Sequence, residues 1–194
     1  MLKRMVRAVP MPVDDRRKAL IDATLPLLRE HGRTVTTKQI AEAAGVAEGT
    51  IFRAFESKDD LIRAAVEAGM DMQPFLDDLA AIDGSLKFRP RLVELVTRLQ
   101  ARFTGIFALM TALGISGPPR AQKHTEAGRR RAEEIMVALV EPDAELITCT
   151  PADLVHMLRL FTFSGTHPHL SEGRRLTPEQ IVDTLLDGVR RKTD

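Results

Sequence analysis

Apolar residues recur every three or four positions along most of this 194-residue chain, which is the spacing of amphipathic helices. The pattern predicts helices at about 14–31, 37–44, 48–54, 58–72, 89–113, 120–140, 151–164 and 178–191. No segment shows the alternation of a strand, so the predicted fold class is all-α. The longest apolar run, 103–115, is too short to cross a bilayer and is predicted to be a buried helix.

Several of these helices carry recognisable start and stop signals. Gly32 and Gly45 are predicted to end the first two helices. Pro26 is predicted to bend the first helix, and Pro74 to break the helix that follows Ser57. Four helices are predicted to begin with a capping box, a hydroxyl paired with an Asp or Gln three residues later: Thr36 with Gln39, Ser57 with Asp60, Thr150 with Asp153, and Thr177 with Gln180.

The segment 37–58 has the pattern of a helix-turn-helix. Its two short helices, TKQIAEAA and EGTIFRAF, are joined by the glycine-containing turn GVA. The second helix is too short to be stable alone, so its neighbours must hold it and its outer face stays free. In such a motif that face enters the major groove of DNA, and Gly49 would remove bulk there. Ile40, Val46, Ile51 and Phe55 are expected to form the small core between the two helices. The alternative is an ordinary helical hairpin in a core.

The net charge of +1 hides an uneven distribution of charge along the chain. Residues 1–58 contain 11 Lys or Arg against 7 Asp or Glu, whereas residues 59–194 contain 17 against 20. A basic first third favours a module that binds a polyanion. Lys3, Arg4 and Arg7 in the predicted tail 1–13 would either reach a DNA minor groove or be solvated.

Residues 36–61 resemble the N-terminal DNA-binding signature of the TetR (tetracycline repressor) family. The matching pattern is T-x-x-x-I-A-x-x-A-G-V-x-x-G-T-I-F-x-x-F-x-S-K-x-x-L. The resemblance implies a three-helix head at 14–56 and a C-terminal helical domain at 57–194 that binds a small molecule and dimerises. The C-terminal region resembles the family only in its general helical style.

The resemblance also implies which residues contact DNA. Phe52 stands where the family often has a tyrosine that bonds to phosphate, so here only apolar packing on sugar or on a thymine methyl is expected. Arg53 is the best candidate for a bidentate guanine contact. Lys58 would bind phosphate at the start of a helix. The expected DNA-binding residues are Thr37, Lys38, Glu48, Gly49, Thr50, Phe52, Arg53 and Lys58.

Apolar side chains in the middle of the chain are candidates for an effector pocket. The stripe consists of Phe103, Ile106, Phe107, Met110, Ile135, Leu139, Met157 and Phe161. A stripe of this kind is also typical of ordinary core, and both readings stay open. Few polar groups accompany it, among them Thr104, Thr111, His156 and Thr162, so a mostly apolar effector is expected.

The last two predicted helices carry more apolar surface than a small core needs. The family precedent is a four-helix bundle made with the same helices of a second subunit, which implies a homodimer. The expected interface residues are Leu154, Leu158, Ile181, Leu185 and Val189, and intramolecular packing is the alternative. A two-fold dimer would also double the contacts on a palindromic site.

Other chemistry finds little support in the sequence. The segment His167-Pro-His169 with Cys149 matches no compact metal-ligand spacing and is read as a solvated turn. Arg129, Arg130 and Arg131 point around a helix and indicate a solvated face. No catalytic motif is present, so no enzyme activity and no cofactor are expected. The single cysteine and the absence of a signal sequence indicate a cytoplasmic protein.

The sequence therefore predicts a ligand-responsive transcriptional regulator. It would act as a repressor that leaves a palindromic operator when a small, mostly apolar effector binds. The alternative is a dimeric small-molecule binding module that lacks specific DNA binding, which the departures at Phe52 and Ala54 make conceivable.

Overall fold

The structure is a computed structural model that describes residues 12–115 and 123–189. Within these ranges the regular elements are helices, and no strand is present. The α-helices are α1 Val13–His31, α2 Thr37–Ala43, α3 Ile51–Ala54, α4 Lys58–Met70, α5 Gln73–Ala80, α6 Phe88–Leu113, α7 Lys123–Val140, α8 Pro151–Thr166 and α9 Pro178–Val189. Short 3₁₀ turns occupy Gly32–Thr34, Glu48–Thr50 and Glu141–Leu146. The all-α prediction is confirmed.

The helix positions agree with the predicted ones except at α5. Pro74 was expected to break the helix that follows Ser57, and α4 does end before it, at Met70. Pro74 then lies in the first turn of α5, where a missing backbone N–H costs no helical hydrogen bond. The helix α5 was not predicted, because a proline was read only as a stop signal. The predicted tail 1–13 falls almost entirely outside the described residues.

All four predicted capping pairs are present. The Thr36 hydroxyl accepts from the backbone N–H of Gln39 at 3.2 Å, and the Gln39 side chain accepts from the N–H of Thr36 at 2.8 Å. Equivalent bonds run from the N–H groups of Asp60, Asp153 and Gln180 to the hydroxyls three residues earlier. Each cap satisfies an otherwise unpaired donor and stabilises its helix by about 1 kcal/mol.

The chain divides into two compact units. The first comprises the described residues through Gly69 together with Thr111–Gly114. It extends beyond residue 56, where the head was predicted to end, because α4 buries Leu61, Ile62 and Ala65. Its core also contains Leu20 and Leu28 of α1, Val35, and the buried residues of α2 and α3. This small core fixes the short helices that could not persist alone.

The second unit comprises Met70–Met110 and the described residues from Ile115 onward. Its core is formed by apolar residues of α5, α6, α7, α8 and α9. Leu95 and Val96 of α6 and Leu154 of α8 are fully buried there. The Thr148 backbone N–H and hydroxyl both bond to the carbonyl of Val189, at 2.8 and 3.0 Å, which joins the last turn of α9 to the loop before α8.

A buried arginine organises one end of the second unit. Arg91 of α6 is only 4% exposed. Its guanidinium donates to the carbonyls of Gly84, Leu86 and Leu139 at 2.9, 2.7 and 2.8 Å, and it also pairs with the carboxylate of Asp143. These bonds satisfy a charge that would otherwise be costly to bury. The sequence did not reveal the role of Arg91, because its partners lie in the loop before α6 and, distant along the chain, in α7 and in a 3₁₀ turn.

Candidate functional site

The helix-turn-helix is built around a small apolar core in the first unit. Gly45 follows α2 with φ of +65°, a backbone conformation that glycine adopts without steric cost. The turn directs the chain so that Ile51 of α3 packs fully buried beside Ile40 of α2, and Phe55 is 4% exposed. The predicted core is therefore present, although Val46 is only partly buried.

The opposite face of α3 is open to solvent. Phe52 is 56% exposed, which is unusual for a phenylalanine, and Arg53 beside it is also exposed. Glu48 and Gly49 are exposed in the 3₁₀ turn that leads into α3, and Thr50 is partly buried. A Cβ added to Gly49 would meet no atom within 4 Å, so the packing of the chain does not require glycine there.

Two of the predicted contact residues are engaged with the protein itself. The Thr37 hydroxyl donates to the Glu48 carboxylate at 2.5 Å, which links the start of α2 to the turn before α3. The Lys58 ammonium donates to the carbonyl of Arg33 at 3.2 Å. Arg53 and Lys38 have no hydrogen-bond or ion-pair partner within the described residues. Their donors are therefore available to an external acceptor.

Arg17 of α1 holds the end of α3 in place. Its guanidinium donates to the carbonyl of Ala54 and lies over the Phe55 ring, 4.1 Å from the centroid. The hydrogen bond satisfies a carbonyl at the C-terminal end of α3, and the ring contact adds a cation–π attraction. This role of Arg17 was not predicted from the sequence. An arginine on the first helix gives no local sign that it contacts a residue 37 positions away.

Comparison with known proteins agrees with this geometry. Residues 20–65 match the family model described as bacterial regulatory proteins, tetR family. The helix-turn-helix segment of this chain is thus similar to the N-terminal region of the TetR family. It is 50% identical over 48 residues to an uncharacterized HTH-type transcriptional regulator, YvkB, of Bacillus subtilis (strain 168). It is 33% identical over 100 residues to the HTH-type transcriptional repressor KstR2 of Rhodococcus jostii (strain RHA1).

These similarities cover only part of each protein. They span 24% of this chain and 25% of the Bacillus regulator, and 45% and 46% for the Rhodococcus repressor. Solved structures match over more of the length. A TetR transcription regulator from Haloarcula marismortui superposes with a TM-score of 0.63 at 17% identity, covering 92% of this chain and 100% of that one. The TetR fold is thus present across both units.

The predicted effector residues lie in the second unit. Phe103, Ile135, Leu139, Met157 and Phe161 are partly buried and pack against its core. Phe107 is buried, and Ile106 and Met110 are partly buried. Side chains in these positions fit both a pocket wall and an outer layer of core, so their role as a pocket remains a prediction.

The aromatic side chains in this region form a cluster that the sequence analysis did not foresee. Phe163 of α8 meets Phe103 and Phe107 of α6 edge to face, with centroids 5.5 and 5.1 Å apart. The His167 ring packs on Phe107 at 4.6 Å. The reading of His167 as part of a solvated turn was therefore wrong, because its ring covers a phenylalanine. His169 is exposed, as that reading expected.

The apolar residues assigned to a dimer interface have a different position from the expected one. Leu154, Leu158 and Ile181 are buried in the core of their own unit. Side chains without exposed surface cannot bury area against a second subunit, so these three assignments need correction. Leu185 and Val189 are partly exposed. The outward apolar residues of α8 are Leu160, which is 55% exposed, and Phe163, which is 39% exposed.

The remaining candidates have ordinary surroundings. Burial raises the pKa of the Cys149 thiol, and the nearby Asp153 carboxylate raises it further, which disfavours the reactive thiolate. Arg129, Arg130 and Arg131 are exposed, and Arg131 pairs with Glu134 at 2.9 Å. In the described part of the chain, no group of three His, Cys, Asp or Glu side chains is arranged to hold a metal. Nor does any described helix have the length and apolar character needed to span a membrane.

Proposed function

We propose that this chain is a TetR family transcriptional regulator that binds DNA, and that it represses from a palindromic operator until a small effector binds. One observation carries the proposal: the outer face of α3 is exposed while its inner face is locked into the core. Phe52 is 56% exposed beside an arginine that has no partner in the described part of the chain, so the unbound protein leaves the apolar surface of this ring in water and gains no burial of it. Contact with DNA would bury that surface.

The proposed DNA contacts divide into contacts to bases in the major groove and contacts to backbone phosphates. Arg53 would donate both guanidinium branches to a guanine edge, and Phe52 would pack on a thymine methyl or a sugar. Gly49 and Thr50 would bring the backbone close to the groove floor. Lys38 would reach phosphate directly. Thr37 and Lys58 would exchange their present partners, Glu48 and the Arg33 carbonyl, for phosphate oxygens.

The bond between Thr37 and Glu48 bears on the role of Glu48. A carboxylate that accepts from Thr37 at 2.5 Å is already engaged within the head. Facing phosphates, it would repel rather than attract. We infer that Glu48 positions α2 against the turn before α3, and that a cytosine contact would require it to release Thr37.

We further propose that the chain acts as a homodimer. A single helix-turn-helix reads only a few base pairs, and a two-fold pair of them reads a palindrome. The surface available for pairing is the outward side of α8 and α9, with Leu160, Leu185 and Val189 as its apolar residues. Effector binding in the second unit would act through α4, which leads directly into that unit, and would change the spacing of the two heads.

The proposal is tested with the purified full chain. Sequence selection first yields the operator, and fluorescence anisotropy then measures its affinity at several salt concentrations. Arg53→Ala should weaken specific binding by about 1–3 kcal/mol. Arg130→Ala is the matched control, because it removes the same charge from an exposed position in the second unit. A chain that selects no palindrome, or loses equal affinity in both variants, would favour a small-molecule binding module without specific DNA recognition.

A further inference from the structure

Among the residues that the structure describes, three polar atoms near the end of α8 are buried without a hydrogen-bond partner. They are the hydroxyls of Thr162 and Thr166 and the Nδ1 atom of His167. Both threonines are completely buried. Buried polar atoms in proteins are nearly always hydrogen-bonded, since an unpaired one keeps the full cost of leaving water. Three such atoms within six residues mark a candidate site for a polar atom of a ligand.

The two hydroxyls also depart from the usual behaviour of hydroxyls in helices. Thr24, Thr97 and Ser164 each donate to the carbonyl four residues earlier, at 2.7, 2.8 and 3.1 Å. Thr162 and Thr166 do not form this bond. Because they are four residues apart, they lie on the same side of α8. Their hydroxyls are free to serve one ligand.

The C-terminal end of α8, which carries these atoms, also contributes rings to the aromatic cluster. Phe163 and His167 stand one helical turn apart, next to Thr162 and Thr166 respectively, and both contact Phe107. Phe163 pairs edge to face with both Phe103 and Phe107, which is an arrangement that a further aromatic ring could join. Phe163 is still 39% exposed, so one side of the cluster is open.

We propose that Thr162, Thr166 and His167 bind the oxygen of an uncharged aromatic effector, a phenol or an aryl ketone, whose ring packs on Phe107 and Phe163. The inference rests on the proposed regulatory function and names the ligand class of its effector site. The lining groups are hydroxyls, an imidazole and phenyl rings, and none carries a permanent charge. Hydroxyls both donate and accept, so they suit a phenolic hydroxyl or a carbonyl oxygen. The apolar wall supplies the affinity, and the polar atoms supply the orientation.

The test uses 2-naphthol as the probe, with naphthalene as the reference that lacks oxygen and 2-naphthoate as the anionic reference. The chain contains no Trp and no Tyr, so the fluorescence of the probe is measured against a dark protein. We expect 2-naphthol to bind the full chain more tightly than either reference. Thr166→Val and Thr162→Val should each weaken 2-naphthol about five- to tenfold and leave naphthalene unchanged.

Two controls keep the result interpretable. Thr97→Val removes a hydroxyl that is bonded within α6, and it should leave the affinity for 2-naphthol unchanged. Phe163→Leu should weaken both 2-naphthol and naphthalene, because it removes a ring from the wall. Thermal unfolding followed by circular dichroism confirms that each variant is folded. If a threonine variant does not fold, the affinity of the Phe163→Leu variant for 2-naphthol and naphthalene tests whether the probe binds at this cluster.

Several outcomes would overturn the proposal. They are tighter binding of 2-naphthoate than of 2-naphthol, equal binding of 2-naphthol by wild type and both threonine variants, or no binding of any probe. DNA binding is measured separately without probe. A chain that binds 2-naphthol as expected but selects no operator keeps the ligand site and loses the regulatory function. A chain that selects an operator and binds no probe keeps the DNA-binding function and loses the proposed ligand site.

Discussion

Replacing Thr162 or Thr166 by valine should make the free protein more stable. Valine has the same shape as threonine and lacks the hydroxyl, whose desolvation is not compensated at either position. Leaving a hydroxyl buried and unpaired costs about 1–3 kcal/mol. We therefore expect each substitution to raise the free energy of unfolding by about 1 kcal/mol, and the transition temperature by about 4 °C.

The assay is thermal and urea unfolding followed by far-ultraviolet circular dichroism, at one protein concentration because self-association would shift the transition. Thr97→Val serves as the control in the same unit. Its hydroxyl is exposed and bonds to the carbonyl of Val93 at 2.8 Å, so its effect should stay within about 0.5 kcal/mol.

A loss of stability in both threonine variants would refute the reasoning. It would mean that the hydroxyls have partners in the free protein, such as ordered water, and that they contribute to folding. A gain in stability together with a loss of 2-naphthol binding would be the pattern of a ligand site. Such sites commonly sacrifice stability for function.

Three further substitutions test other parts of the structure. Gly49→Ala should stabilise the head by roughly 0.5–1 kcal/mol, because the added Cβ would meet no atom within 4 Å. The same substitution should weaken operator binding roughly tenfold. Gly84→Ala, where an added Cβ also has free space, should leave DNA affinity unchanged. Gly32→Ala should destabilise the first unit by about 2–4 kcal/mol in urea unfolding, since φ is +57° and the new Cβ would lie 2.3 Å from the Ala112 carbonyl oxygen. Arg91→Leu should cost about 3–5 kcal/mol in the same assay, because it leaves Asp143 unpaired.

Each of these has an outcome that contradicts it. Equal operator affinity for Gly49→Ala and wild type would show that the backbone does not approach DNA closely at that position. An unchanged unfolding midpoint for Gly32→Ala would mean that the turn after α1 relaxes without cost. A neutral Arg91→Leu would mean that the apolar gain offsets the lost hydrogen bonds, as happens for some buried ion pairs.

The helix-turn-helix could be predicted from the sequence because its determinants are local. The capping box at Thr36, the turn glycine Gly45 and the apolar residues Ile40 and Ile51 all fall within sixteen positions. Helix periodicity and cap chemistry act over the same short range, so element type and limits follow from them. The exception, α5, is short and begins with a proline, a residue that local reasoning counts as a breaker.

The residues assigned to the dimer interface illustrate a different limit. An apolar stripe identifies the side of a helix that is covered, and it does not identify what covers it. Leu154 and Ile181 were predicted to contact a second subunit, whereas they are buried in the core of their own unit. The outward residue Leu160 was passed over because a single exposed leucine on a helix carries no periodic signal.

The polar cluster on α8 could not be recognised from the sequence for a related reason. Thr162 and Thr166 are unremarkable helical residues until their hydroxyls are known to be unpaired. His167 was read as part of a turn, because the sequence does not reveal that α6 places Phe107 against it. Long-range packing thus turns ordinary residues into a candidate site. A head can be recognised by its local pattern, while an effector site must be found from the polar atoms that folding leaves unsatisfied.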